Sequence, residues 1–472
     1  MSPRDLAGTV DTAERTNRRW QVLRFVGPAT LVSVGYIDPG NWATDLEAGA
    51  RFGLQLLWVL ILANVVALFL QSSCARLGIA SGRDLASTCR ALYSRKANLA
   101  LWVLCEIAIV ACDLAEVIGS AVALNLLFGL PLFWGACIVA CDVLLVLVLQ
   151  HHGIRRLEAV VGVLLATVAL CMLAELWIVG IPWPSVLAGV RPQLPSQSLY
   201  IALAILGATV MPHNLYLHSA LVLTRAVEKK PAAQRRAIRF AVTDTAFALN
   251  GAFLINASIL IVAAAVFHAR GLSISDLREA HALLRPLLGP GPAQFLFALA
   301  LLCAGLSATI AVTMAGQVAM QGFLRLELSP AVIRLGTRVL AIVPALAVLA
   351  LAGDDATVSL LVASQVVLSF QLPFAVVPLL RFTDSRAVMG GFANGRLTRV
   401  VGWTCACVLV CANAWLVTET LSASAPWLSA AGAVAGIGGV AFLAYLATVP
   451  LRGERENDPG ETRRPSLLRH PG

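Results

Sequence analysis

The strongest limit on the fold of this chain is its division into apolar runs of about 20 residues, each long enough to cross the hydrocarbon core of a bilayer. They fall at 22–50, 54–76, 97–128, 132–150, 157–180, 198–223, 240–267, 292–324, 335–352, 356–380, 399–420 and 426–449. Twelve membrane helices are expected. With 58% of the 472 residues hydrophobic and 13% charged, too little polar surface remains to coat a soluble globule, so the chain reads as an all-α, polytopic membrane protein.

Positive charge tests that count, because one missed helix would invert every loop after it. Thirty of the 35 Lys and Arg lie in the N-terminus, the even-numbered loops and the C-terminus, whereas Arg51, Arg191, Arg270, Arg278 and Arg285 lie opposite. Both termini are therefore expected in the cytoplasm, with tails at 1–21 and 451–472 flanking a transporter domain at 22–450. The first twenty residues are polar and basic, with no short apolar core before a cleavage site, so no removable signal peptide is expected. The net charge of +9 is spread over short loops that face anionic cytoplasmic lipid, which argues against nucleic acid as a partner. The 11 cysteines sit almost wholly inside apolar runs without zinc-type histidine spacing and read as small packing residues. The outward loop from Ala269 to Gly291 has room for a short amphipathic helix around Ser275 to Leu288.

Two runs are interrupted by polar, helix-breaking residues: Asp38-Pro39-Gly40-Asn41 in the first and Met211-Pro212-His213-Asn214 in the sixth. Pro39 and Pro212 each remove a backbone donor and Gly40 is permissive, so unwinding frees carbonyls that protein, water or an ion must satisfy. Five helices separate the first break from the second, and an odd-numbered repeat reverses its orientation in the membrane. Residues 22–180 and 198–380 are thus expected to be inverted copies whose breaks meet at the midplane, with 399–449 as accessory helices.

A carboxylate at that depth costs a few kcal/mol, which a proline kink does not require. Asp38 is accordingly read as a ligand in preference to a mere helix cap. Asn41 adds a second hard oxygen, Ala208 a freed carbonyl, and Met211 a soft thioether. This mixed set suits divalent transition metals better than Mg²⁺ or Ca²⁺, which prefer all-oxygen shells. Glu106, Asp113 and Glu116 fall on one side of helix three and suggest a proton route or a water-filled vestibule. Arg334 and Arg338 are their nearest basic candidates by depth. For His213 and His218, proton relay, metal binding and a buried hydrogen bond all remain open. Of Gln365 and Gln371 in helix ten, one amide facing the centre would complete a metal shell.

Four stretches, DPGN in helix one, ATVMPHNLYLHS from Ala208 to Ser219, DLAEVIGSAVAL from Asp113 to Leu124 and SQVVLSFQLPFAVVPL from Ser364 to Leu379, together resemble the Nramp family of divalent metal transporters. The likeness covers nearly the whole membrane region. It implies a LeuT-like 5+5 inverted repeat with broken helices one and six, importing Mn²⁺ and Fe²⁺, with Cd²⁺ and Co²⁺ as further candidates, in symport with H⁺. Metal and proton are then substrates, and no cofactor is expected. The resemblance implies Asp38, Asn41, Met211 and the Ala208 carbonyl as metal ligands, joined by Gln365 in an occluded state. It places Asp113 and Glu116 on the proton route, Glu106 and Arg338 in a salt-bridge network toward the cytoplasm, and His213 as the family's helix-six histidine. A bacterial inner-membrane protein, monomeric or weakly oligomeric, is the expectation.

Rival readings make different demands. A sodium-coupled amino-acid-type symporter would share the broken helices but would not need Met211. A channel would need a filter ring, and an enzyme a nucleophile with its base; neither is readable here.

Overall fold

The computed structural model describes residues 7–11, 25–141, 153–195, 197–272, 274, 277–288, 292–324, 357–422 and 426–451, with isolated positions between 332 and 347. The expected ninth span, the end of the fourth and most of both tails lie outside the described residues. So do Arg334 and Arg338.

Helix α1 (Pro28–Ser33) continues as a 3₁₀ turn (Val34–Ile37) and stops; α2 (Pro39–Phe52) restarts after Asp38. Then come α3 (Leu57–Ser81), α4 (Leu85–Leu92), α5 (Arg95–Phe128), α6 (Leu132–Ala140), α7 (Ile154–Val179) and α8 (Trp183–Gly189). The sixth span is likewise split, into α9 (Leu199–Thr209) and α10 (Pro212–Leu221). Helices α11 (Pro231–Val266), α12 (Leu277–Leu288), α13 (Ala293–Ala319), α14 (Thr357–Asp384), α15 (Arg386–Met389), α16 (Arg396–Ser422) and α17 (Pro426–Thr448) follow. Among the described residues eight helices are long and apolar enough to cross a membrane, and the chain is an integral multi-pass membrane protein.

Local chemistry sets many of these ends. Ser94 caps α5 by accepting from Ala97 N, and Asp84 caps α4 by accepting from Ser87 N at 2.8 Å. Gly82 and Gly129 end α3 and α5 at φ 68°. α11 begins nine residues before the expected 240, because Pro231 sets a helical N1 position and a polar cytoplasmic turn continues the helix beyond its apolar stretch. The loop helix α12 lies within the expected segment, burying Leu277, Ala280 and Leu284.

Packing sorts the helices into two groups. α11 packs along α2 and α3, whereas α13 packs along α5 and α7; α14 touches α5, α9 and α2 between them. Large apolar residues of α16 and α17, including Val400, Val408, Trp415, Val434 and Ile437, stay exposed and fit a lipid-facing periphery. A feature without a sequence signal is a short parallel pairing of β1 (Val10–Asp11) with β2 (Arg225–Ala226), just beyond the end of α10.

Candidate functional site

Asp38 performs the task of a helix cap and still has an oxygen to spare. Its backbone is extended (φ −63°, ψ 167°), and Oδ1 accepts from Asn41 N at 2.7 Å and Asn41 Nδ2 at 2.8 Å. Oδ2 instead faces α5, 3.8 Å from the Cys112 thiol. Asn41 Nδ2 also donates to the carbonyls of Gly35 (3.2 Å) and Ala208 (3.1 Å). One amide nitrogen thus stands among three oxygens, two from the first break and one from the second. Asn41 Oδ1 turns away and accepts from Asn256 Nδ2 at 3.3 Å.

The second break has the same construction. Val210 leaves helical geometry, Met211 is extended (φ −66°, ψ 122°), and Pro212 opens α10. Met211 is fully buried, its Sδ 3.7 Å from Asn214 Nδ2. Close approach of the breaks depends on Gly35, where a Cβ would run into Asn214 Nδ2 and crowd Met211 Sδ.

Gln365, on α14, is the glutamine that reaches this centre. Its amide fills the space that a side chain at Gly40 would occupy, and its own carbonyl lies against Gly207 of α9. Nε2 donates to Ser364 Oγ at 3.0 Å, while Oε1 has no hydrogen-bond partner among the described residues. Gly207→Ala is expected to destabilise the fold by about 1–3 kcal/mol, because the new methyl meets backbone atoms of Gln365 and Ser369 that no rotamer can move. A thermal-unfolding midpoint equal to that of the unmutated protein would contradict this.

The three acids of α5 are all buried but do different things. Glu106 Oε1 accepts from Trp102 Nε1 at 3.0 Å; its expected partner Arg338 lies outside the described residues. Glu116 Oε1 is 3.6 Å from Cys112 Sγ, so that Asp38, Cys112 and Glu116 place ligand atoms within 4.8 Å of one another. Cys112 is packed in the core as expected of the cysteines, and its thiol also lies between these two carboxylates. Its four-residue spacing before Glu116 was the available signal. Asp113 is buried on the same helix. His213 is buried directly after Pro212, and its Nδ1 has no partner among the described residues. His218 Nδ1 instead pairs with Gln71 Oε1 at 2.9 Å, and Gln71 Nε2 donates to Tyr36 OH at 3.0 Å.

Below the breaks, ionic contacts hold the start of α1. Arg225 Nη1 meets Glu158 Oε1 at 2.8 Å and Arg155 meets Glu158 Oε2 at 3.1 Å, while both arginines donate to the Val26 carbonyl. Asp244 accepts from Gly27 N (3.3 Å) and Ala29 N (3.0 Å). Gly27 sits at φ 135°, a backbone open to glycine, with the Glu158 carboxylate where a Cβ would go.

The sequence profile described as "Natural resistance-associated macrophage protein-like" (Nramp) matches residues 29–419. The chain belongs to the Nramp family. It is 52% identical over 420 residues to the divalent metal cation transporter MntH of Xylella fastidiosa strain 9a5c, covering 88% of this chain and 89% of that protein. It is 51% identical over 414 residues to MntH of a Nostoc species, covering 86% and 93%. Among solved structures, a variant of the manganese transporter from Eremococcus coleocola superposes with a TM-score of 0.83 at 34% identity, covering 95% of this chain and 98% of that one. Mhp1, a nucleobase-cation-symport-1 family transporter in a closed conformation, matches at TM-score 0.58 and 16% identity over 97% and 95%, a likeness of fold alone. This Nramp chain therefore has the LeuT-type fold expected from its paired breaks.

Proposed function

We propose that this Nramp protein imports divalent transition-metal ions, Mn²⁺ and Fe²⁺ foremost, in symport with H⁺ by alternating access. The observation that carries the reading is the position of Asn41 Nδ2, within hydrogen-bond reach of Asp38 Oδ1, the Gly35 carbonyl and the Ala208 carbonyl. An amide nitrogen there occupies a cation's place. Turning the Asn41 amide about its last torsion would bring Oδ1 in, leaving a hard-oxygen cluster beside the Met211 thioether. Asp38, Asn41, Ala208 and Met211 are then the ligands, with Gln365 joining on occlusion. The MntH relatives, divalent metal cation transporters, support the same substrate class.

For the proton, the short links from Asp38 through Cys112 to Glu116 favour a route along α5 that includes Asp113, with Glu106 and Arg338 toward the cytoplasm and His213 at the second break. An arriving dication favours the ionised form of Asp38, so metal and proton compete for one carboxylate. The membrane potential assists inward flow by about 2.3 kcal/mol per charge per 100 mV. A sodium-coupled amino-acid-type symporter would leave Met211 at the centre without a task.

The test is Mn²⁺ uptake into proteoliposomes with a pH probe inside. Uptake accompanied by acidification is expected. Absence of uptake, or uptake unaffected by Met211→Ala and Asp38→Ala together, would defeat the proposal. Met211→Ala alone is expected to lower Mn²⁺ uptake by no more than about tenfold while admitting Ca²⁺ or Mg²⁺, because sulfur narrows the choice of cation more than it adds affinity for a hard one. Unchanged exclusion of Ca²⁺ and Mg²⁺ would remove Met211 from selectivity.

A further inference from the structure

Asp38 Oδ2 meets a second set of ligand atoms on α5. Cys112 Sγ lies 3.8 Å from it and 3.6 Å from Glu116 Oε1, and ligand atoms of all three residues fall within 4.8 Å of one another. Helical spacing and a glycine bring this about. Glu116 follows Cys112 by four residues and Gly119 follows Glu116 by three, so the three form one stripe of α5. A Cβ at Gly119 would collide with the Pro39 ring, and its absence lets α5 lie directly on the first break. Asp38 is fully buried, and Cys112 and Glu116 are each 1% exposed. The groups that act on the thiol through their charge are Glu116, Asp38 and Asp113, all of them acids.

A thiol has one proton, and two carboxylate oxygens stand beside this one, so it donates to one of them at a time. Tetrahedral Zn²⁺, bound to sulfur at about 2.3 Å and to oxygen at about 2.0–2.2 Å, holds those atoms about 3.5–3.6 Å apart, close to both observed separations. We propose that Asp38 Oδ2, Cys112 and Glu116 form a second metal subsite, selective for a thiophilic dication such as Cd²⁺ or Zn²⁺. Thiolate sulfur favours these ions over Mn²⁺, for which oxygen ligands are the better match. On binding, the thiol proton passes to water that the ion sheds, and two positive charges offset three anions to a remainder of one. Asp38 is shared with the breaks. An ion on α5 therefore withdraws that carboxylate from Mn²⁺ and interrupts the link to Glu116, so that Cd²⁺ and Zn²⁺ inhibit Mn²⁺ uptake. That last consequence rests on the transport proposed above, whereas occupancy of the subsite does not.

The experiment titrates the full-length protein in detergent with Cd²⁺, read at the ultraviolet thiolate-to-metal charge-transfer band, and then measures Cd²⁺ inhibition of Mn²⁺ uptake in proteoliposomes. Cys112→Ser is expected to remove the tightest-binding component of the band, and Met211→Ala, which takes away a thioether and no thiolate, to leave it. In the uptake assay Cys112→Ser raises the Cd²⁺ concentration for half-inhibition at least about tenfold, measured against that variant's own rate. A tight component that survives Cys112→Ser overturns the proposal. So does one abolished by Met211→Ala, which would tie the ion to the breaks, or an equal half-inhibition in parent and Cys112→Ser. If the proteoliposomes take up no Mn²⁺, the transport reading falls while the band still decides the subsite. Where Cys112→Ser fails to fold, Glu116→Gln keeps the side-chain shape and removes one charge. The Cd²⁺ affinity of the band then falls at least about tenfold, and an unchanged affinity overturns the proposal.

Discussion

Asp38→Asn is expected to lower the initial rate of Mn²⁺ uptake by at least about 100-fold while leaving the protein folded, a loss equivalent to about 2.8 kcal/mol. The two duties of Asp38 are separable by charge. Oδ1 caps α2 by accepting from Asn41 N, and an asparagine oxygen caps equally well. What the variant loses is the charge, and with it the attraction for a partly dehydrated dication in a site from which water is largely excluded. The amide nitrogen also takes the place of Oδ2 beside Cys112, where a proton acceptor is required for any hand-off toward Glu116. Removing a buried carboxylate that no cationic side chain among the described residues neutralises should leave the thermal midpoint equal or raise it. Uptake and midpoint measured on one preparation check both halves. Uptake within a few fold of the parent would remove Asp38 from the ligand set.

How much of this could be read from the chain depended on whether the feature is local. Both breaks were legible, because proline, glycine and a polar side chain inside an apolar run leave a helix few alternatives. For Asp38, cap and proposed ligand do not exclude each other, since Oδ1 accepts from Asn41 N and also faces the Asn41 Nδ2 position. Gln365 and Gln371 were indistinguishable in sequence, since both are amides on one helix. Gly40 and Gly207, whose missing side chains make room for Gln365, decide between them. Cys112 was hidden by its type: a cysteine in an apolar run looks like packing until the carboxylate of a helix 74 positions away arrives beside it. The Tyr36, Gln71 and His218 chain was hidden for the same reason, being a property of helix faces brought together by packing.

The ionic cluster beneath the breaks leads to the second large effect. Arg225→Ala is expected to cost about 3–5 kcal/mol, because it leaves Glu158 buried with the half-exposed Arg155 as its remaining cationic partner among the described residues. The loss should also fall unevenly on the transport cycle. Arg225 and Arg155 both donate to the Val26 carbonyl, Asp244 accepts from Gly27 and Ala29, and Glu158 packs on Gly27, so the cluster fastens the cytoplasmic start of α1 to α7, β2 and α11. Weakening it favours states in which α1 swings away and the centre opens to the cytoplasm. A cysteine introduced as Ala29→Cys should then react faster with a water-soluble alkylating reagent in inside-out vesicles, and Glu158→Gln added to Arg225→Ala should recover part of the stability by removing the stranded charge. If the rate is unchanged while the midpoint falls, the cluster supports the fold without gating it. If neither moves, the buried pair contributes to neither.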